Sequence, residues 1–378
     1  MNLAAGLLAI RRPCLVRERV RAAVRFRSDI RPRLRRGDPT APPPLLVSFN
    51  LTHLCNLRCA MCGQWRRQDT GRTETLPLAA LKRIADEVAP FRPKIYIWGG
   101  EPLLHPALIP FLEHLKARKL YTVINTNGVV LERFAPDLVR IGVDSLDISI
   151  DGPPEVHDRV RGVAGTFQRL QAGAEKVGEE ARRRGKRPPL LKAVSVVTES
   201  TLDRLGEMFD LLRRGRLFDL AIVNLGWFTS AEANAANERI FAERLGVPAR
   251  SGKDFIGALG RVDAAKVKQL MKQAARIRFP VVFRPSLPPA AIEGYYADPG
   301  RPVRRRFCYS PWEMIDIRPD GSAVFCPDYP DYSVGNVREE PLLSVWNGEK
   351  ARRFRRSLLD HGLFPICARC CGLYDHGF

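Results

Sequence analysis

Three cysteines, Cys55, Cys59 and Cys62, fall within eight residues of the stretch SFNLTHLCNLRCAMCGQW (48–65), directly after a short apolar run. Five of the six remaining cysteines gather near the C-terminus as Cys308, Cys326, Cys367, Cys370 and Cys371, and Cys14 stands alone near the start. Clustered thiols can form a disulfide knot, close around zinc, or hold an iron site with a position left for a ligand. The total of nine cysteines is odd, and they are not spread as a framework. The opening Met1–Ile10 is apolar without a preceding basic region, so a cytoplasmic chain with metal-binding thiols is expected. On spacing alone the metal stays open. His53 could complete a tetrahedral Cys3His zinc site, whereas a four-iron cluster on three thiolates would leave one iron for an exogenous chelator.

The elements that must position these thiols follow a regular beat. Apolar, β-branched runs occur at 45–51, 94–100, 121–128, 145–152, 191–197 and 219–226, with amphipathic helical patterns between them. Strands alternating with helices predict parallel βαβ units. The expected fold is therefore α/β, a partial (β/α)6 TIM-like barrel, with an open doubly wound sheet as the other arrangement of six such units. Several of these runs end on polar or glycine residues, among them Asn50, Gly99–Glu101, Asn125–Gly128 and Ser149–Gly152. In parallel sheets ligands bind at the carboxyl edge of the strands, and the first cysteine group lies in the loop after the first strand. The beat breaks after 283. The reading divides the chain into a basic arm with a Pro-rich linker (1–44), a barrel (45–283), a linker (284–302) and a small C-terminal unit (303–378) built from a β-hairpin and a helix near 341–357. The hairpin signal is MIDIRPDGSAVFC, two alternating runs about the turn Asp320-Gly321.

Taken together, these motifs resemble the radical S-adenosylmethionine (SAM) superfamily over residues 45 to 230. CNLRCAMC follows its cysteine pattern, with Asn56 in the usual place. The resemblance implies a [4Fe-4S] cluster on Cys55, Cys59 and Cys62, with SAM on the open iron. It also implies that Gly99, Gly100 and Glu101 of GGEP meet the SAM amino group, that Asn127 of TNG lies at the third strand end, and that Ser149 and Asp151 contact the ribose. Arg161 of HDRVRGVAGTF is the best match for an arginine that approaches SAM. Met61 departs from the aromatic residue many members carry beside the adenine; it is apolar and polarizable, so weakened stacking rather than lost binding is expected. The implied chemistry is reductive cleavage of SAM to methionine and a 5′-deoxyadenosyl radical, which takes hydrogen from an unactivated carbon.

The tail is similar to the auxiliary-cluster extension of the same superfamily, including the Gly-x4-Cys element Gly321 to Cys326. The full extension, the SPASM domain, uses seven cysteines for two clusters; the match here is Cys308, Cys326, Cys367 and Cys370, as in the reduced form called the twitch domain. One auxiliary [4Fe-4S] cluster with four thiolates is implied, with a zinc ribbon as the other use of such a pattern. Cys371 is a spare: a substitute ligand, a buried thiol or a hydrogen donor to a substrate radical.

The formal charge is +20, and eleven arginines against three acids in the first forty residues place +8 in the arm. Val16, Val20, Ala23 and Val24 recur at helical spacing among these arginines, the pattern of a basic interfacial helix. A solvated arm and an arm that binds a membrane surface or acidic partner are the competing expectations. Nucleic acid is disfavoured because no recognition motif accompanies the charge. The expected function is a radical SAM oxidoreductase acting on a peptide side chain or a small polar metabolite, with an external one-electron reductant of flavodoxin or ferredoxin type. A redox-neutral epimerase or isomerase is the alternative within the class. A non-catalytic iron–sulfur or zinc protein that binds membrane or nucleic acid through its arm is the alternative outside it.

Overall fold

The computed structural model describes residues 13–63, 74–303 and 306–374, without the side chains of 13–17, 19, 371 and 374. Six of its strands are those expected: β1 (Leu46–Asn50), β2 (Lys94–Trp98), β3 (Thr122–Thr126), β4 (Ser145–Ser149), β5 (Leu190–Val196) and β6 (Leu220–Asn224). Among the described residues, the helices that alternate with them begin, after the arm's α1 (Pro13–Arg25) and α2 (Arg31–Arg35), with α3 (Leu78–Val88), α4 (Leu108–Ala117) and α5 (Leu131–Ile141). The crossover from β4 carries two, α6 (Pro154–Arg161) and α7 (Thr166–Arg183), and α8 (Leu205–Gly215) precedes β6. After β6 come α9 (Ala231–Leu245), α10 (Ala264–Arg276), a seventh strand β7 (Val281–Arg284) and α11 (Ile292–Ala297).

The C-terminal hairpin forms as β8 (Met314–Ile317) and β9 (Ser322–Val324), preceded by α12 (Ser310–Glu313) and followed by the short β10 (Gly335–Asn336). It does not stand apart from the barrel. β8 lies parallel to β1, Ser48 opposite Asp316, so one sheet runs β10-β9-β8-β1-β2-β3-β4-β5-β6-β7 and stays open at β7. The expected partial barrel is therefore present, with a seventh strand and an eighth parallel one donated by the tail. The expected single helix near 341–357 is two, α13 (Leu342–Asn347) and α14 (Glu349–His361), broken at Gly348; the last described element is α15 (Cys371–Tyr374).

Which residues face the barrel lumen follows from register. Phe49 packs edge-on against Phe111 of α4, with ring centroids 5.2 Å apart, so Val47 and Phe49 face the helices, and Ser48 and Asn50 face inward. Along the parallel ladder Ser48 neighbours Tyr96, Asn50 neighbours Trp98, and Asp147 neighbours Lys192. The helix-facing side is an apolar core, whereas the lumen carries Ser48, Asn50, Lys94, Tyr96, Trp98, Asp147, Ser149, Lys192, Asp316 and Arg284, with an apolar patch of Leu190, Leu220 and Ile222 against Val194 and Val282 along β5–β7. This polar lining is the reverse of a filled TIM-barrel interior and suits a polar ligand.

The arm is not a solvated extension where it is described. Ile30 is fully buried, Arg21 donates to the Phe91 and Arg92 carbonyls, and Arg25 donates to the Pro43 carbonyl at 2.8 Å. The Pro-rich stretch expected as a linker is packed instead: Trp346 Nε1 donates to the Pro42 carbonyl at 2.8 Å, and Asn347 bonds both ways with the Ala41 backbone. The second expected linker (284–302) likewise holds α11, where Tyr295 is fully buried and donates to the Gly226 carbonyl at 2.9 Å.

Candidate functional site

The first cysteine group sits on a scaffold of backbone bonds at the carboxyl edge. Gly100 N–H donates to the Thr52 carbonyl at 2.7 Å and Glu101 N–H to the Leu54 carbonyl at 2.8 Å, fastening the cysteine loop to the end of β2. A side chain could not fit between them. A Cβ on Gly99, whose φ is +148°, would lie 2.6 Å from the Thr52 carbonyl oxygen, and one on Gly100 would strike the His53 and Leu54 carbonyls. On the other side, Arg58 N–H and Ala60 N–H donate to the Arg161 and Val160 carbonyls at the end of α6, at 3.3 and 2.9 Å.

Glu101 is fully buried, and its carboxylate accepts from Thr126 Oγ1 (2.7 Å), Asn127 N–H (2.8 Å) and Leu103 N–H (3.1 Å). Burial raises its pKa against these three donors. The residue expected at the SAM amino group thus clamps the ends of β2 and β3 together, and Gly99 and Gly100 carry the cysteine loop. Asn127 in turn donates through Nδ2 to Asn56 Oδ1 at 2.8 Å and lies 3.9 Å from Cys55 Sγ.

Arg161 lies between two anion-forming groups: Nη2 is 2.6 Å from Asp151 Oδ2, and Nη1 is 3.6 Å from Cys59 Sγ. Burial disfavours its charge, but Asp151 and Cys59 outweigh burial and hold it protonated. His157, fully buried beside them, accepts the Asp151 N–H at Nδ1 (3.3 Å), and burial together with Arg161 pushes its pKa down to about 4. Sequence reasoning passed over His157, although it lies in the quoted HDRVRG stretch. Ser149 stands half-buried at the end of β4, on the lumen face.

The three thiols are neighbours whose ionisation is coupled. Burial pushes Cys55 up to about 11, with Cys59, Glu101 and Cys62 adding to the rise, and burial also raises Cys59 against the pull of Arg161. Among the described residues no three His, Cys, Asp or Glu side chains close on a single ion. Cys55 and Cys59 held this way stay protonated until a cation joins them, so the three-thiol group fits an iron cluster that displaces protons on binding. At the same edge Asn50 Oδ1 and Nδ2 and Arg161 Nε are buried without hydrogen-bond partners, a polar lining that fits SAM.

The second group assembles from three separate segments. Cys308 precedes α12, Cys326 follows β9, and Cys367 and Cys370 lie in and after the turn Pro365–Arg369. Burial raises Cys308 to about 12, with Cys370 adding, and raises Cys326 and Cys367 well above the ordinary thiol range; each of these feels at least one other member of the group. Four half-buried thiols gathered from segments spread between Cys308 and Cys370 again fit a metal cluster. Cys371 follows directly as the first residue of α15, its side chain outside the described atoms.

The lumen also holds a polar strip that the sequence did not single out. Trp98 Nε1 donates to Asp316 Oδ1 at 2.7 Å, and Asp316, fully buried, is raised to about 6 by burial. Across the lumen Lys192 pairs with Asp147 at 2.7 Å. Burial, with Lys192 and Arg284 nearby, lowers Lys94 to about 7. Only three-dimensional pairing of β8 with β1 brings Asp316 beside Trp98, so no local pattern could have revealed it.

This edge, with its three-thiol loop beneath a polar lumen, defines a cofactor-dependent α/β-barrel protein with a second thiol cluster in its tail. Its sequence matches the radical SAM superfamily over residues 49–212 and an iron-sulfur cluster-binding domain, SPASM, over residues 308–371. The chain thus carries a radical SAM domain and a C-terminal iron-sulfur cluster-binding domain, which imply SAM, a radical SAM [4Fe-4S] cluster and an auxiliary [4Fe-4S] cluster as cofactors. It is 31% identical over 181 residues to a pre-heme d1 synthase of Dinoroseobacter shibae, a match spanning 47% of this chain and less than half, 43%, of that protein. It is 27% identical to a PqqA peptide cyclase of Ruegeria pomeroyi over 88% of this chain and 80% of that one. In structure it resembles SuiB of Streptococcus suis bound to S-adenosylmethionine, with a TM-score of 0.62 and 17% identity over 89% of this chain and 75% of SuiB, a likeness of fold. Among the described residues no helix is long and apolar enough to cross a membrane.

Proposed function

We propose that the protein is a radical SAM oxidoreductase whose auxiliary cluster accepts the second electron from an oxidised substrate. The observation that carries this reading is the convergence of Cys308, Cys326, Cys367 and Cys370. Four thiolates supply every iron of a cube with a protein ligand, which leaves electron transfer rather than ligand binding as its use. SAM and the three-cysteine cluster, when bound, supply the hydrogen-abstracting chemistry. The chain's own part is positioning. Cys55, Cys59 and Cys62 hold the cluster, Asn127 and Arg161 direct N–H groups toward two of those sulfurs, and Asp151 with Ser149 offers oxygen to the ribose. Gly99, Gly100 and Glu101 fix the loop that carries the thiols, and the lumen wall receives the substrate.

A polar lumen suits either a peptide side chain or a small polar metabolite. Similarity to a peptide cyclase over most of both chains favours the peptide. Protein reconstituted without oxygen should hold about eight irons, four per cluster. Cys55→Ala should remove about half of that iron and all SAM cleavage, while Cys326→Ser should also lose about half the iron yet cleave SAM. Tightly bound zinc in place of iron at either group would overturn the reading. With the native substrate, turnover in deuterated water separates oxidation from epimerisation, because only a redox-neutral product of otherwise unchanged mass would carry deuterium at the abstracted carbon.

A further inference from the structure

A groove of about 300 Å³ lies where the arm meets the auxiliary unit, lined by Phe26, Phe307, Tyr309 and Leu359 together with Arg31 and Arg35. Phe307 and Tyr309 flank Cys308 in the chain, and their rings pack 5.1 Å apart; Tyr309 also meets Phe26 edge-on at 5.1 Å. The groove is thus one residue away, on either side, from a thiol of the auxiliary group. Arg306 precedes Phe307, and Arg356 lies one helical turn before Leu359 on α14. Arg31, Arg35, Arg306 and Arg356 are all exposed, and among the described residues none makes an ion pair or a side-chain hydrogen bond. The arm's nearest acids are already committed, Asp29 to Arg25 and Asp38 to Arg33, each at 3.9 Å. Two cations on the groove and two more within three residues of its lining, against the single exposed acid Asp360 beside Leu359, give the aromatic floor a net cationic margin.

We propose that this groove docks an acidic one-electron carrier protein of the flavodoxin or ferredoxin class, which exchanges electrons with the auxiliary cluster through the Phe307–Cys308–Tyr309 segment. The inference rests on the oxidation reading above. In that reaction one substrate electron leaves with the abstracted hydrogen atom, and the second passes to the auxiliary cluster as a proton is released. The cluster then hands that electron to the oxidised carrier before the next turnover. Aromatic floor and cationic rim match such a partner: opposite charge steers the encounter, and the apolar floor excludes water where the redox centres approach.

The test uses reconstituted full-length protein, reduced with dithionite and freed of excess reductant, mixed with oxidised flavodoxin. Semiquinone formation is followed by stopped flow across a range of ionic strength. The parent should react fast and slow down steeply with salt, while Arg31→Ser/Arg35→Ser/Arg356→Ser should be slower by ~10-fold or more at low salt and nearly salt-independent. The same dependence should persist in a Cys55→Ala background, where only the auxiliary thiols can hold iron. Flavodoxin affinity, measured separately by calorimetry, should weaken in parallel. Equal rates and equal salt slopes in parent and variant, with eight irons bound, would overturn this inference alone. Iron for one cluster only would overturn the reading beneath it as well. Binding of phosphatidylglycerol vesicles that the triple variant abolishes, with flavodoxin transfer unchanged, would overturn the inference by assigning the groove to lipid.

Discussion

Arg161 is the most exacting point at which the site can be perturbed. It holds Asp151 at 2.6 Å, and Asp151 is fully buried, so removing the cation strands a carboxylate with no solvent to receive its charge. With charge centres about 4 Å apart and an effective dielectric near 20, the attraction is about 4 kcal/mol, and breaking a buried pair from one side costs about 3–5 kcal/mol. Arg161→Met should therefore lose about that much in anaerobic urea unfolding of the metal-free chain. Asp151→Asn should lose less, because Arg161 still has Cys59 Sγ 3.6 Å away. The double variant should recover about 2–3 kcal/mol of the summed losses, since no stranded charge remains. Cluster retention should separate the two effects: with Arg161 absent, burial and the neighbouring Cys62 raise the Cys59 thiol unopposed, and iron should load more slowly even in the double variant. Strict additivity of the two single losses would refute the pairing. Normal iron loading in Arg161→Met would refute the argument about Cys59.

Two further perturbations act on neighbouring parts of the edge. Gly100→Ala should displace the cysteine loop from β2, costing about 1–3 kcal/mol in unfolding and most of the iron at the first group while sparing the auxiliary one, as iron analysis in Cys326→Ser and Cys55→Ala backgrounds, respectively, would show. For His157, the ordinary pKa of 6.5 falls to about 4 in the fold. The unfolded chain therefore binds a proton across that window that the folded chain refuses, and stability should fall by about 3 kcal/mol as pH drops from above 6.5 to 4. His157→Asn keeps an acceptor for the Asp151 N–H and should flatten the slope; unfolding midpoints at pH 7 and 4.5 that differ as much as in the parent would contradict this.

The six repeating strands were legible because each combines β-branched residues with a polar end, and the cysteine loop because three thiols in eight residues have few uses. β7 was not: its four residues, Val281–Arg284, set between Pro280 and Pro285, are too short a run to stand out as a strand and straddle the boundary at 283 between the expected barrel and linker. The parallel pairing of β8 with β1 was hidden for a different reason. Leu46 and Met314 are partners in the ladder yet lie hundreds of residues apart, and the hairpin's own turn accounts for its pattern without them. The arm shows the same limit. Its helical spacing was read, and Val20 and Val24 do remain exposed, but Arg21 donates to a carbonyl ahead of β2 and Arg25 to one in the Pro-rich stretch, contacts that no local pattern announces. Arg17 and Arg19 lie outside the described side chains. At the site, residue types were readable and their partners were not: Arg161 and Asp151 were each assigned to SAM, and only coordinates show that they hold one another.

The union of β8 with β1 bears on any attempt to cut this chain down to a minimal catalyst. Residues 303–378 look separable on paper, a module to be trimmed or exchanged for another redox unit. Yet β1, the strand that leads into the first cysteine loop, is hydrogen-bonded on one side to β2 and on the other to β8. Excising the tail would bare a four-residue flank, Leu46 to Phe49, of unmet amides and carbonyls on a fully buried strand, the kind of edge that recruits other chains. A truncated barrel should therefore precipitate as stacked oligomers rather than survive as a smaller enzyme. A chimaera would succeed only if its grafted unit brings its own strand in the register that sets a residue opposite Ser48.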